Sequence, residues 1–382
     1  MKHSTRIITG VGALAVTALA LAGCSSGGSG SSTDSASGGD LTPVSLQLQW
    51  YSQAQFAGYY AAASQGYYED EGLDVTILEG AADIVPIDVL TSGDADFAIS
   101  WVPKVLGSIE QGAAVTDIAQ IFERSGTTQI SMKDAGITKP ADLKGKTVGS
   151  WGYGNEWELF AGMNKADVPL GDISLVQQAF DMNGFLAGDI QAAQAMTYNE
   201  YAQVLETVNP ATGSLYTPED LNVIDWNDQG TAMLQDAIWA DSDKLASDSA
   251  YADTAVKFIK ASVKGWAYAR DNAEDAAKIV TDAGSQLGES HQLWMTNEVN
   301  KLIWPSTSGV GMINQDQWDQ TVSIAKGTPN ETGATIITAD PPETAYSNEY
   351  VEKALTELKD EGVDVMGADY KPITVTLKEN GQ

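Results

Sequence analysis

Two successive runs of alternating strand and helix signals, the second restarting near Lys146, limit the fold of this chain more than any other feature. In the first run, "VSLQLQW" puts Val44, Leu46, Leu48 and Trp50 on one face, the period of a half-buried strand. A helix over 55–65 ending near Gly66, a strand "LDVTILEG", a short helix in "IVPIDVLTSGDAD", a strand "FAISWV", a helix over 102–111 and a strand "VTDIAQIF" follow. The second run holds strands "KTVGSWG", "ISLVQQA", "IQAAQAMT" and "LNVIDW", with helices "NEWELFAGMNKA" and "YNEYAQVLETV" and a short helix "MNGFLAGD". This spacing predicts parallel sheets in two α/β lobes. After Asp236 come one strand, "AIWADS", and helices over 251–271, 273–283, 290–303, 315–326 and 348–361. The helix over 251–271 carries a core stripe: Ala255, Phe258, Ile259, Ser262, Val263, Trp266 and Ala269.

The chain is expected to cross from lobe 1 to lobe 2 near 127–143 and to return near 226–236. The limits are 43–128 for the first part of lobe 1, 129–230 for lobe 2, and 231–382 for the return to lobe 1 and the C-terminal helices. Two crossings make a two-strand hinge beside a cleft. Ligands of open α/β sheets bind at the carboxyl ends of strands. Those ends are "QWYSQ", "ISW", "GSWGYGNE", "QAFDMN" and "AMTYNE"; each has an aromatic residue and three have a carboxylate.

The N-terminus describes a different environment from the lobes. Residues 1–23 read as a signal peptide: a short basic head, then an apolar stretch over 7–22 too short to span a bilayer. "LAGC" resembles the lipobox of bacterial lipoproteins, which makes Cys24, the only cysteine, the expected lipidation site. Residues 24–42, rich in Gly and Ser, read as the lipidated Cys and a flexible tether. The expected location is extracytoplasmic, anchored to the membrane by lipid. Formal charge is −31, and loss of Lys2 and Arg6 with the signal peptide leaves −33. Such a surface disfavours nucleic acid and anionic headgroups.

The candidate ligand-binding residues are Trp50, Gln53, Gln55, Tyr59, Trp101, Trp151, Tyr153, Asn155, Glu156, Asp181, Tyr198, Asn199 and Glu200. Each has a structural competitor. Trp50 could serve the core, Gln53 and Gln55 could simply start a helix, and Asp181 could cap the helix that begins at Met182. Tyr59 and Tyr60 are adjacent, so at most one faces the cleft. Tyr67 and Tyr68 belong to the scaffold. The strand-end segments contain Glu156, Asp181 and Glu200 but no Lys or Arg. Nitrate or a sulfonate would meet like charge there, although helix N-termini can hold anions. Carboxylates with aromatics suit a neutral or cationic nitrogen heterocycle: the acid pairs with a ring nitrogen and an exocyclic amine, and the rings stack. Gly149, Gly152 and Gly154 form no phosphate-binding fingerprint, and the chain has no Walker motif.

"GYYAAASQGYYEDEGLDVTI", "LTSGDADFAI", "DLKGKTVGSWG" and "AMTYNEYAQ", with the lipobox and tether, resemble the solute-binding proteins of ABC importers. The resemblance covers most of residues 44–275. It points to the branch that contains thiamine pyrimidine synthases and the formylaminopyrimidine-binding protein, within a superfamily that also binds nitrate, sulfonate and taurine. It implies a periplasmic-binding-protein type II fold, α/β, with two lobes, a two-strand hinge and C-terminal helices. It also implies an importer's permease and ATPase as partners, a monomer, and a binding protein with no cofactor or catalytic residue. The ligand is expected to be a thiamine pyrimidine precursor; riboflavin, a purine, a sulfonate, nitrate and taurine are the alternatives. The synthases that share the fold consume one of their own histidines, hold iron at a cysteine-rich site and bind pyridoxal phosphate on a lysine. Here the histidines are His3 and His291 and the cysteine is Cys24, which disfavours the enzyme.

Overall fold

Val44, Leu46 and Leu48 are buried as their alternation requires, but the first strand stops at Gln47 and the chain turns out of the sheet before Trp50. This is a computed structural model, and it describes residues 41–382. The signal peptide, Cys24 and the tether up to residue 40 lie outside the described residues. The strands are β1 (Thr42–Gln47), β2 (Leu73–Leu78), β3 (Phe97–Trp101), β4 (Val115–Gln120), β5 (Thr127–Met132), β6 (Thr147–Ser150), β7 (Ser174–Gln177), β8 (Ala193–Met196), β9 (Leu221–Asp225) and β10 (Asp236–Asp241).

The first sheet has the order β2-β1-β3-β10-β4, and the second half holds a sheet β8-β5-β9 and a pair β6-β7. β1 runs parallel to β2 and β3, as expected, but β10 is antiparallel to both β3 and β4. The reason is topological: β10 enters from the other lobe and so runs against strands joined by right-handed crossovers. β5 is likewise antiparallel to β8 and β9. The all-parallel expectation therefore fails for the strands that begin or end at a crossing. The first crossing is also earlier than expected, over 121–126, because 127–132 is already the central strand of the second sheet.

The first lobe is built around the helix Ser249–Asp271, whose start is capped by Asp248 accepting from the Ala250 and Tyr251 amides. Its stripe is buried as the spacing predicts. Tyr68 stacks on Phe258 and shares a hydrogen bond with Ser262, and Tyr59 meets Trp266 edge to face at 5.5 Å. This crossing with the helix Ala57–Ser64 is close enough to exclude any side chain at two positions. A Cβ on Gly265 would lie 1.9 Å from the Gly58 carbonyl oxygen, and one on Gly58 would lie 2.1 Å from the Trp266 ring. Among the described residues no helix is long and apolar enough to cross a membrane.

Gly265→Ala should therefore destabilise the protein by at least about 3 kcal/mol, because backbone rather than a side-chain tip must move. Urea unfolding checks this. A loss below about 1 kcal/mol would mean that the two helices separate at little cost.

Candidate functional site

Asp236 is the first residue of β10, in register with Trp101 at the end of β3, and both are buried. Its carboxylate accepts from Gln49 Nε2 at 2.6 Å, Trp101 Nε1 at 2.7 Å and Gln55 Nε2 at 2.9 Å. Gln53 Nε2 donates to Gln55 Oε1 at 2.8 Å. One carboxylate thus joins the exit of β1, the turn into the first helix, the end of β3 and the returning hinge strand. Burial raises the Asp236 carboxyl to about 7 against the lowering effect of these donors. Sequence reading marks Asp236 only as the end of a crossing and leaves Gln49 unmarked.

Gly80 lets the β1 exit pass. A Cβ there would sit 2.4 Å from the Trp50 nitrogen, and its own N–H donates to the Trp50 carbonyl. Trp50, half-buried, then meets Phe180 of the second lobe at 4.7 Å between ring centroids. Phe180 also stacks with buried Trp151 at 6.3 Å and 21°. Three aromatic faces from two lobes therefore meet at the strand ends. Asp181 points elsewhere: its Oδ1 accepts from the Asn183 amide and caps the short turn there.

The loop after β6 is held by Gln194 in β8. Its Oε1 accepts from Ser150 Oγ and the Trp151 amide, and its Nε2 donates to the Asn155 carbonyl. Gly152, Tyr153 and Gly154 all have left-handed φ, and Tyr153, at 54°, is strained there. Tyr153 is 80% exposed, whereas Glu156 folds back to accept from the Gly154 amide. Lys104, in the first turn of the helix Val102–Glu110, lies beside this loop; its Nζ is 5.0 Å from the centre of the Trp101 ring. The cleft thus holds a cation that the strand-end segments do not contain. Between Trp101, Asn155, Trp157 and Gln235 remains a void of about 10 Å³, room for about one water. That void is too small to hold an aromatic ring. A groove of about 370 Å³ lies away from the strand ends, by Asn164 and Asn330.

Tyr59 and Tyr198 are fully inside, below the cleft floor, with the Asp236 charge adding to their burial in raising both phenols. Glu200 turns inward, accepting from the Met196 amide at 3.0 Å and from Asn199 Nδ2 at 3.0 Å, and burial raises it to about 7. Asn199 Oδ1 faces His291 Nε2 at 3.1 Å, and His291 Nδ1 faces Glu206 at 2.9 Å. Both ring nitrogens thus have a hydrogen-bond partner in the second lobe. His291 lies in a late helix, as the sequence places it, yet it binds the "TYNE" segment. The hinge crossings are clamped by Glu158, which accepts from Ser125 Oγ and from the Met233 amide at 2.6 Å, and by Gln235, which bridges Gly126 and Thr127. Burial raises Glu158 to about 8. Among the described residues no group of three or more His, Cys, Asp or Glu could hold a metal ion.

The profile of the family described as NMT1/THI5 like matches residues 53–276. The formylaminopyrimidine-binding protein of Halalkalibacterium halodurans is 24% identical over 245 residues, 63% of this chain and 70% of the relative. The riboflavin-binding protein RibY of Chloroflexus aurantiacus is 31% identical over 154 residues, 36% of this chain and 42% of the relative. A 4-amino-5-hydroxymethyl-2-methylpyrimidine phosphate synthase of Aspergillus parasiticus is 29% identical over 107 residues, 28% of this chain and 31% of the enzyme. The periplasmic aliphatic sulphonate binding protein SsuA from Escherichia coli has the same fold, with a TM-score of 0.56 at 14% identity over 88% of this chain and 94% of that one. The periplasmic binding protein type II expectation is met: α/β, two lobes, two crossings and C-terminal helices.

Burial raises the carboxyls of Glu158 to about 8, of Asp236, Glu200 and half-buried Glu123 to about 7, and of Asp117 well above its usual value. The folded state holds these protons more tightly than the unfolded chain, so the stability they contribute is full below about pH 4 and falls as pH rises through about 7 to 8. The protein should melt about 5 °C higher at pH 5 than at pH 8.5, and Glu158→Gln should shrink that difference. A flat or reversed profile in calorimetry would contradict the protonated state. Phe180→Ala removes a contact between lobes worth about 1 kcal/mol, enough to shift closed molecules toward open about five-fold. Small-angle scattering of the ligand-free protein should register a larger radius of gyration; an unchanged radius would show that this pair does not hold the lobes together.

Proposed function

The chain belongs to the NMT1/THI5-like family, and from that premise we propose that it is an extracytoplasmic solute-binding lipoprotein of an ABC importer. Its ligand is a small nitrogen heterocycle, a thiamine pyrimidine precursor of the formylaminopyrimidine kind. The observation that carries this reading is the meeting of Trp50 from one lobe with Phe180 and Trp151 from the other at the strand ends. Flat aromatic faces brought together from both lobes suit a flat ring that completes closure, and each stack adds about 1 kcal/mol beyond burial. Side-chain oxygens of Gln53, Asn155 and Glu156 give the ring's polar edges their partners, while Gln55 is committed to Gln53 and Asp236. The name of the H. halodurans relative supports the choice of ligand, since its match spans most of both chains.

In this reading Cys24 carries the lipid and the tether ends where β1 begins at Thr42, not after it; the lobes are 42–120 with 236–382, and 127–225, joined by the crossings 121–126 and 226–235. The protein acts as a monomer and passes its ligand to a permease driven by an ATPase. It performs no chemistry: binding shifts a population from open to closed. The match to the synthases covers less than a third of this chain and does not reach to their whole length.

Calorimetric titration of the purified protein with formylaminopyrimidine tests the proposal. Micromolar or tighter binding is expected, corresponding to about 8 kcal/mol or more. Riboflavin, taurine and nitrate should bind at least about ten-fold more weakly. Tight binding of one of these with no response to the pyrimidine would replace the ligand, and release of a phosphorylated pyrimidine by the protein would replace the class.

A further inference from the structure

Lys104 is the cleft's unmatched charge. Its place is fixed by the fold: β3 ends at Trp101, Pro103 opens the next helix, and Lys104 occupies the first turn, over the Trp101 ring. From there its stem lies against the Gly-rich loop of the second lobe, with Cγ 3.6 Å from where a Cβ on Gly154 would stand. The side chain is thus caught between the lobes and half-buried. The nearest opposing charges acting on it are those of Glu156 and Asp236.

Neither of these acids reaches it. Asp236 is engaged by Gln49, Gln55 and Trp101, and Glu156 by the Gly154 amide. Among the described residues the lysine ion pairs within 4 Å involve other lysines, all outside this cleft. Burial without a close partner pulls the amine down to about 8. An ammonium partly withdrawn from water costs free energy unless an acceptor meets it, and a ligand entering beside Trp101 would bring one.

We propose that Lys104 is a ligand-contacting, specificity-determining residue that donates to an oxygen acceptor carried by the bound molecule. The ligand class is then narrower than a nitrogen heterocycle. It is a flat ring bearing a carbonyl, formamide or acid oxygen at the first-lobe end of the cleft. The same position rejects an analogue that presents an ammonium there. This rests on the heterocycle reading for the ring, but not for the oxygen.

The test uses three probes, formylaminopyrimidine, its deformylated amine and ethanesulfonate, titrated into the wild type, Lys104→Met and Lys104→Arg. The wild type should prefer the formamide to the amine by about 10- to 100-fold, the range for a hydrogen bond to a charged group. Lys104→Met should abolish that preference and Lys104→Arg should keep part of it. Where the Met variant melts far below the wild type, Lys104→Gln takes its place. A Met or Gln variant that folds normally and still prefers the formamide as the wild type does overturns the proposal. If the pyrimidines do not bind but ethanesulfonate does, and the Met variant loses it, Lys104 keeps its role and the heterocycle reading falls. If the wild type binds none of the three, both readings fall.

Discussion

The carboxylate of Asp236 is the constraint on which the rest of the cleft depends. It is taken out of water at the point where the returning strand enters the first sheet, and its cost is offset only by donors arranged around it. Gln49, Gln55 and Trp101 come from three separate places in the sequence and are brought to one acceptor. Once they are fixed, the direction of the β1 exit follows, and with it the position of Trp50 over the second lobe. The Asp236 carbonyl serves the other side, accepting from the Ile121 and Phe122 amides of the outgoing crossing. The two crossings are thus tied together by the same residue that organises the floor of the site.

The second lobe solves a similar problem with amides instead of charge. Gln194 lies in a strand whose neighbours are small and apolar, and Gln178 and Gln129 pair with the backbone around it. A neutral amide offers both a donor and an acceptor, so it can bind two strand ends and a loop without a buried charge. That choice leaves Trp151 in place beneath Phe180 while the loop after it carries left-handed residues. The rigid part and the strained part of the same segment are only two residues apart.

Much of this architecture was legible in the sequence. Alternation and helical stripes marked the elements, and the strand ends pointed to the cleft, because both follow from local periodicity. The direction of β10 was not legible, since it depends on where the chain has been rather than on its own residues. The partners of Asp236 were hidden for the same reason: Gln49 and Asp236 are 187 residues apart. "QAFDMN" drew attention to the right loop, but its carboxylate caps a turn while its aromatic residue faces the other lobe. Lys104 stands three residues beyond "ISW", and a helix's first turn shares the space at a strand's end, so it could have been found. Gln194 carried a signal too, as a polar residue inside an apolar strand.

The helix Glu289–Ile303 follows the return crossing, yet its attachments divide. Gln292 accepts from the Ala54 amide of the first lobe, while His291 and Trp294 bond Asn199 and Thr197 of the second. A strut pinned at both ends cannot keep both pins when the jaws swing apart. Either the histidine lets go of its asparagine, or the strut rides with one jaw and drags the outer helical layer with it. In the first case opening exposes a buried imidazole to water; in the second the outside of the molecule changes shape with the state of the cleft. In both, the gape of the mouth is registered some distance behind the hinge.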